Sequence, residues 1–240
     1  MLGCENVSFR YGKNEVLEAL SLSLYKGQAA FITGANGAGK STLLYLICGL
    51  LKPAQGSIRL GAEHKTGYLA QNPMYSFLKD TLDADFRYIL KKNGLPAQRL
   101  EEIFNAYPLF EDLRTLLSAN PLDLSGGERA KAAIFKLLLL QRDVLLLDEP
   151  EKHLDKTAVL ELGNVIRALC AQGVSFLIVS HNPDFIFRTA DSVHEICHHQ
   201  MKHYLPEGYF PARSKTSLYR AVEAAGLEIL DCSQVEVAHG

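Results

Sequence analysis

No stretch of this 240-residue chain is apolar for long enough to cross a membrane. Its longest apolar runs, such as residues 144–147, fall far short of the roughly 18 residues a spanning helix needs. Residues 1–9 carry neither a positive head nor a long apolar run, so no secretory signal is expected. There is no Cys-x-x-Cys pair, and the five cysteines are an odd number. That argues against a disulfide framework and predicts free thiols in a reducing cytosol. Neither sign of charge dominates, with 25 Lys and Arg against 27 Asp and Glu, net −2. The basic clusters are small and scattered, so no nucleic-acid partner is expected. Internal repeats and low-complexity segments are also missing. What is left is a chain 48% hydrophobic, enough for one globular domain with a large core, plus a small appendage.

The pattern along the chain predicts an α/β fold. Residues 5–11, 20–25 and 57–60 alternate like strands. Residues 29–33 form a continuous apolar run that stops at Gly34, as a buried strand feeding a tight turn would. Residues 40–50 read as a helix ended by Lys52-Pro53. Residues 80–120 are helical, with breaks at Gly94-Leu95-Pro96 and Tyr107-Pro108. Ser125 caps a helix that runs to about residue 141. Residues 144–147 and 174–180 read as central parallel strands, with a helix over 156–171 between them. From residue 204 the pattern changes. Pro206-Glu207-Gly208 and Pro211 read as a linker, followed by one helix over 217–225 and strand over 227–237.

Three constellations carry chemistry. Gly34-Ala35-Asn36-Gly37-Ala38-Gly39-Lys40-Ser41-Thr42 matches the phosphate-loop pattern. Its glycines let backbone N–H groups turn inward around phosphate oxygens, and a helix N-terminus adds a positive dipole. Lys40 reaches the β- and γ-phosphates, and Ser41 offers a hydroxyl to Mg²⁺. Second, an apolar strand ends in Asp148-Glu149. There one carboxylate, Asp148, can hold Mg²⁺ and the other, Glu149, can orient an attacking water. Third, Ser125-Gly126-Gly127 opens a helix and makes a second anion site. In one chain the two helix starts need not face the same ligand. In a symmetric pair, the Ser125 helix of one chain would complete the Lys40 pocket of the other.

With these motifs in this order, the chain resembles the nucleotide-binding subunit of an ABC ATPase over residues 2–204. Leu124-Ser125-Gly126-Gly127-Glu128 resembles the family signature, with Glu128 where Gln is more usual. Asp148 and Glu149 match its second acidic motif. The resemblance implies a P-loop NTPase core with a parallel central sheet, an antiparallel β subdomain and an inserted helical subdomain over about residues 76–142. It leaves 205–240 as an appendage to a 1–204 domain. It implies ATP and Mg²⁺ as ligands, with Ser41, Gln71 and Asp148 toward the metal. Tyr11 looks like the aromatic that stacks on adenine. Gln71 resembles the glutamine that senses Mg²⁺ and water, and His181 the switch histidine that touches the γ-phosphate. Asp155 matches the loop that meets a second subunit, so Ser125, Gly126, Gly127, Glu128 and Asp155 would act in trans. Glu151-Lys152 replaces the commoner Thr-Ser or Thr-Asn ahead of that loop.

The function implied is an ATP-hydrolysing cassette, paired with a second one and powering a separate transmembrane permease from the cytoplasmic face. The Gln71-Asn72-Pro73 stretch resembles energy-coupling-factor and cobalt-type importer cassettes. Residues 72–88, with Phe77, Phe86 and Tyr88, are the expected permease contact. A soluble cofactor-assembly or translation-associated ATPase is the alternative, and a clamp that binds ATP without turnover is a third. Against the clamp stand Lys40, Glu149 and His181. Cys197-His198-His199 with Met201 and His203 gathers soft and imidazole groups. Adjacent strand histidines, however, point to opposite faces.

Overall fold

The structure, a computed structural model, describes residues 2–61 and 65–209. The helix expected over 217–225 and the strand over 227–237 lie outside them. Two sheets organise the rest. Strands Leu2–Tyr11 (β1), Asn14–Leu24 (β2) and Gln55–Leu60 (β4) pair antiparallel in the order β2-β1-β4. The larger sheet has the order β5-β6-β7-β3-β8-β9. It is built from Ala29–Gly34 (β3), Thr66–Leu69 (β5), Val144–Asp148 (β6), Ser175–Val179 (β7), Ser192–Cys197 (β8) and Gln200–Tyr204 (β9). All its neighbours run parallel except the terminal β8–β9 hairpin.

Register is what positions the site. Leu69 pairs with Leu147, Leu147 with Ile178, and Val179 with both Asp148 and Ile32. The carboxyl ends of β3, β5, β6 and β7 therefore finish along one edge. The residues that follow them, at 34–41, 71, 149 and 181, project from that edge, which is where open parallel sheets bind ligands. The central strands β3, β6 and β7 are buried at every position, which explains their unbroken apolar runs.

Helices α1 (Lys40–Ile47), α2 (Leu82–Lys92), α3 (Arg99–Ala106), α4 (Gly126–Leu139), α5 (Lys156–Ala171), α6 (Pro183–Thr189) and α7 (Pro206–Tyr209) complete the described chain, with 3₁₀ turns at Pro73–Ser76 and Pro108–Leu116. The caps follow the side chains. Thr81 accepts the Ala84 N–H, Asp155 the Ala158 N–H, and Asn182 the Phe185 N–H. Phe86, Phe104 and Phe110 close around Phe135 of α4, with ring centroids 4.9, 4.4 and 5.3 Å away. Under this core lies a buried ion pair between Lys136 of α4 and Asp85 of α2.

Two expectations need correcting. Phe86 is fully buried. It lies one turn from Leu82 and Leu90 on the face that α2 packs inward, so it is no surface contact. Pro206-Glu207-Gly208 is the start of a helical turn, not a linker. Pro206 suits a first helical position, and Tyr209 is buried, its hydroxyl 3.4 Å from the Thr33 hydroxyl of β3. The His198-His199 pair forms the tight β8–β9 turn, both residues at positive φ. Met201 packs toward the core, and His199 Nδ1 lies 3.2 Å from the Val16 carbonyl. Among the described residues, no three His, Cys, Asp or Glu side chains gather to hold a metal.

Candidate nucleotide site

A cleft of ≈ 980 Å³ opens at the strand-end edge, lined among others by Tyr11, Gly34–Gly37, Gly39, Lys40, Ser41, Thr42, Gln71, Glu149 and His181. The glycines are required by the backbone. Gly34 has φ 142°, and a Cβ there would lie 2.4 Å from the Ile196 carbonyl oxygen. Gly39, at φ 99°, opens α1 with no side-chain cap and no acid in the first turn. The first N–H groups of α1 are thereby left for a ligand anion. Lys40 is 7% exposed, and its Nζ donates to the Gly34 and Ala35 carbonyls, each at 2.9 Å. Burial pushes its ammonium below the ordinary lysine range, against the pull of Glu149 and Asp148.

Asp148 ends β6 almost fully buried. Burial raises its carboxyl above the usual range, while the Ser41 hydroxyl and the Lys40 charge work the other way. Glu149 turns the chain at φ 51°. A non-glycine residue holds that left-handed conformation only where its surroundings fix it. Here its N–H bonds the Val179 carbonyl at 2.9 Å. The Gln71 amide donates to Glu149 Oε2 at 2.6 Å, and Lys152 Nζ lies 3.3 Å from the same oxygen. Burial opposes ionisation of Glu149, but Gln71, Lys152 and His181 outweigh it and hold the carboxyl below its usual range. Glu149 is therefore a carboxylate at neutral pH.

His181 Nε2 stands 3.9 Å from Glu149 Oε1, beyond hydrogen-bond reach, and is buried without a partner. Burial, then the Lys40 charge, lower the imidazole pKa against the pull of Glu149, which keeps the ring neutral. The site thus holds a carboxylate, a neutral imidazole and a buried ammonium around one cleft. Tyr11 is half exposed at the rim, edge-on to Phe9 at 4.9 Å. Lys152, noted in the sequence only as part of the Glu151-Lys152 departure, is a site residue that was not expected; the turn at Glu149 brings it back onto that carboxylate.

The second helix start lies elsewhere. None of Ser125, Gly126, Gly127, Glu128 or Asp155 lines the cleft that holds Lys40. Ser125 and Glu128 form a reciprocal capping box: the Glu128 N–H donates to Ser125 Oγ at 3.3 Å and the Ser125 N–H to Glu128 Oε2 at 2.8 Å. Hydrogen bonds from Ser125 hold the Glu128 carboxyl below its usual range. The anion-seeking donors of α4 are thus narrowed to the first turn beside Gly126 and Gly127. A Cβ on Gly127 would lie 3.1 Å from the His153 carbonyl oxygen. Asp155 is a helix cap in the same neighbourhood.

A glycine loop on a strand-to-helix turn, a strand-end carboxylate beside its lysine and a helix N-terminus free for phosphate define a P-loop nucleotide-binding protein. Within that class, residues 17–152 match the family described as ABC transporter, and the chain belongs to it. Members of this family are ATP-binding, ATP-hydrolysing domains. A relative from Pyrococcus furiosus, named as an ABC transporter ATP-binding protein, is 33% identical over 80% of this chain and 78% of its own length. Another, from Clostridium tetani, is 31% identical over 75% of this chain, but the match spans only 44% of that protein. An energy-coupling factor transporter ATP-binding protein of Mycoplasmopsis pulmonis, EcfA1, is 32% identical over 68% of this chain and 67% of its own. The fold superposes on the ATP-binding subunit of an ABC transporter at TM-score 0.78, with 23% identity, over 99% of this chain and 98% of that one. It superposes on cbiO1 of Clostridium perfringens, part of the transporter complex cbiONQ, at 0.75 with 22% identity, over 93% and 94%.

Proposed function

We propose that this chain hydrolyses ATP as one of two cassettes closed around two ATP molecules, and drives a separate membrane permease. The observation that carries the reading is the convergence of Gln71, Glu149 and His181 on the Lys40 loop. Lys40 and the loop N–H groups would hold the β- and γ-phosphates, and Tyr11 would stack on the base. Glu149, ionised and 2.6 Å from the Gln71 amide, would orient and deprotonate water. The neutral His181, its Nε2 free, would donate to the γ-phosphate. Ser41, Asp148 and Gln71 are the oxygen donors for Mg²⁺, which suits hard ligands of this kind. When bound it supplies charge neutralisation at the phosphates. Ser125, Gly126, Gly127, Glu128 and Asp155 would complete the site of the partner cassette.

The ATPase unit covers residues 1–204, with 76–142 as its helical part, and the turn at Pro206–Tyr209 packs onto its core through Tyr209. Among the described residues no helix is long and apolar enough to cross a membrane. The permease is proposed as a separate subunit, met at the cytoplasmic face. Its docking surface is the segment after Gln71, where Tyr75 is 80% and Leu78 63% exposed. The similarity to EcfA1 supports a transporter of the energy-coupling-factor type.

Light scattering of Glu149→Gln with ATP and Mg²⁺ tests the pairing: a dimer is expected, reverting to monomer when Ser125 is replaced by Arg. A pull-down from detergent extract separates transport from the soluble alternative. A multispan protein supports the first, and ribosomes or soluble assembly proteins the second.

A further inference from the structure

We propose that Glu151 is a positioning residue for hydrolysis, its buried side chain tying the loop that carries Glu149 to the loop that carries His181. The proposal rests on the hydrolytic reading above.

The two loops leave adjacent parallel strands, β6 and β7, at the Asp148–Val179 pair. Each then turns at once, Glu149 through a left-handed φ of 51°. One main-chain tie joins them, Glu149 N–H to the Val179 carbonyl at 2.9 Å. The second is made by side chains. The Ser180 hydroxyl donates to Glu151 Oε1, and Ser180 itself is fully buried. The same hydroxyl accepts the Asn182 N–H at 3.1 Å, and Asn182 caps α6 through the Phe185 N–H at 3.1 Å. His181 is thus held on both sides, by a hydroxyl bonded to Glu151 and by a helix cap. Its distance from Glu149 is set by these ties, since no direct bond joins the two side chains.

Glu151 is an unusual residue for this place. It is 9% exposed, and besides the Ser180 hydroxyl its carboxyl is met by the backbone N–H groups of Glu151 and His181. Burying a carboxyl is unfavourable, and these contacts only partly offset the desolvation. A threonine or serine could bond Ser180 without that penalty, so tolerance of a carboxyl points to a use for its longer reach. Desolvation raises the Glu151 carboxyl above the usual range, against the bond from Ser180. Glu151 also lines a second cleft of ≈ 1080 Å³, which shares Glu149, Lys152 and His181 with the first. The loops that carry Glu149 and His181 thus border open space in both clefts, and their side-chain ties help to fix them.

The test compares kcat, KM for ATP and binding of a non-hydrolysable ATP analogue. The proteins are wild type, Glu151→Ala, Glu151→Gln, Ser180→Ala and the Glu151→Ala/Ser180→Ala double variant. Each alanine variant is expected to lower kcat about 10- to 100-fold, the scale of a misplaced reacting group, with analogue binding within about threefold. The double variant should be no slower than the worse single one, because both remove the same tie. Glu151→Gln keeps the length and an oxygen acceptor for the Ser180 hydroxyl and should recover kcat to within about threefold of wild type. Unchanged kcat in Glu151→Ala, losses that multiply in the double variant, no rescue by Gln, or parallel loss of analogue binding would each overturn the role. If wild type hydrolyses no faster than Glu149→Gln, the hydrolytic reading itself falls and takes this role with it. If wild type hydrolyses and Glu151→Ala matches it, only the positioning role is lost.

Discussion

Replacing Asp85 by Leu should destabilise the protein severely, through a mechanism the structure lets one work out. Asp85 is fully buried and pairs with Lys136, itself 7% exposed. Asp85 Oδ1 also accepts the Leu78 N–H at 2.8 Å, and Lys136 donates to the Ser76 carbonyl. The substitution leaves a buried ammonium without its counter-charge, at a cost of about 3–5 kcal/mol. The orphaned Leu78 N–H falls within that range or adds about 1 kcal/mol to it. For a chain of this length each kcal/mol lowers Tm by about 2–4 °C, so a drop of about 6–24 °C is expected. Calorimetry, with urea midpoints as a check, measures it. The Asp85→Leu/Lys136→Met double variant should recover at least half the loss, because an apolar pair replaces an ionic one with little penalty. A single-variant loss under about 1 kcal/mol, or a double variant worse than the single, would refute the reasoning. The pair also links the segment after Gln71 to α4, whose first turn is Ser125-Gly126-Gly127. The single variant should therefore loosen that segment in hydrogen exchange before the sheet opens.

Other outcomes follow from single geometries. Gly34→Ala should abolish binding of a fluorescent ATP analogue, because its Cβ would meet the Ile196 carbonyl oxygen at 2.4 Å in a backbone conformation that disfavours side chains. Lys152→Ala removes a charge that holds Glu149 below its usual range. The acid limb of the pH–kcat profile should then move to higher pH, and a shift to lower pH would contradict the assignment. Burial, then the charge of His203, push the His194 imidazole from 6.5 down to about 4. Because the folded value lies below the unfolded one, its stabilisation is present above about pH 6.5 and is lost as pH falls toward 4, by about 3 kcal/mol at most. His194→Leu should flatten that part of the Tm–pH curve, and an unchanged slope would place the acid sensitivity elsewhere.

Much of the site was legible because backbone demands leave a residue trace. A loop that must approach phosphate needs glycine at Gly34 and Gly39, and no other residue fits their φ. The strands β3, β6 and β7 announce themselves as apolar runs because both their faces are buried. The Gln71–Glu149 bond was not legible in the same way, since a contact across the sheet edge has no sequence spacing. Glu149 was reached from the apolar strand it follows, and Gln71 only through family resemblance. Phe86 was misplaced by composition: α2 is polar on average, and the Leu82–Phe86–Leu90 stripe outweighs that average once α4 packs on it. The Pro206 turn was read as a linker because proline and glycine dominate the tetrapeptide. Tyr209 decides it by inserting beside Thr33, a choice made by tertiary packing. Glu151 stood in the sequence only as a departure from the family pattern; its burial and its bond to Ser180 depend on a contact between two strand ends that no sequence spacing encodes.

The central claim is that Glu149 acts on water at the Lys40 site. Phosphate release under saturating ATP and Mg²⁺, with bound nucleotide quantified in the same sample, tests it most directly. Glu149→Gln should retain ATP and release phosphate at least about a hundredfold more slowly than wild type, the scale of a lost general base. Equal release rates at equal ATP occupancy would contradict it.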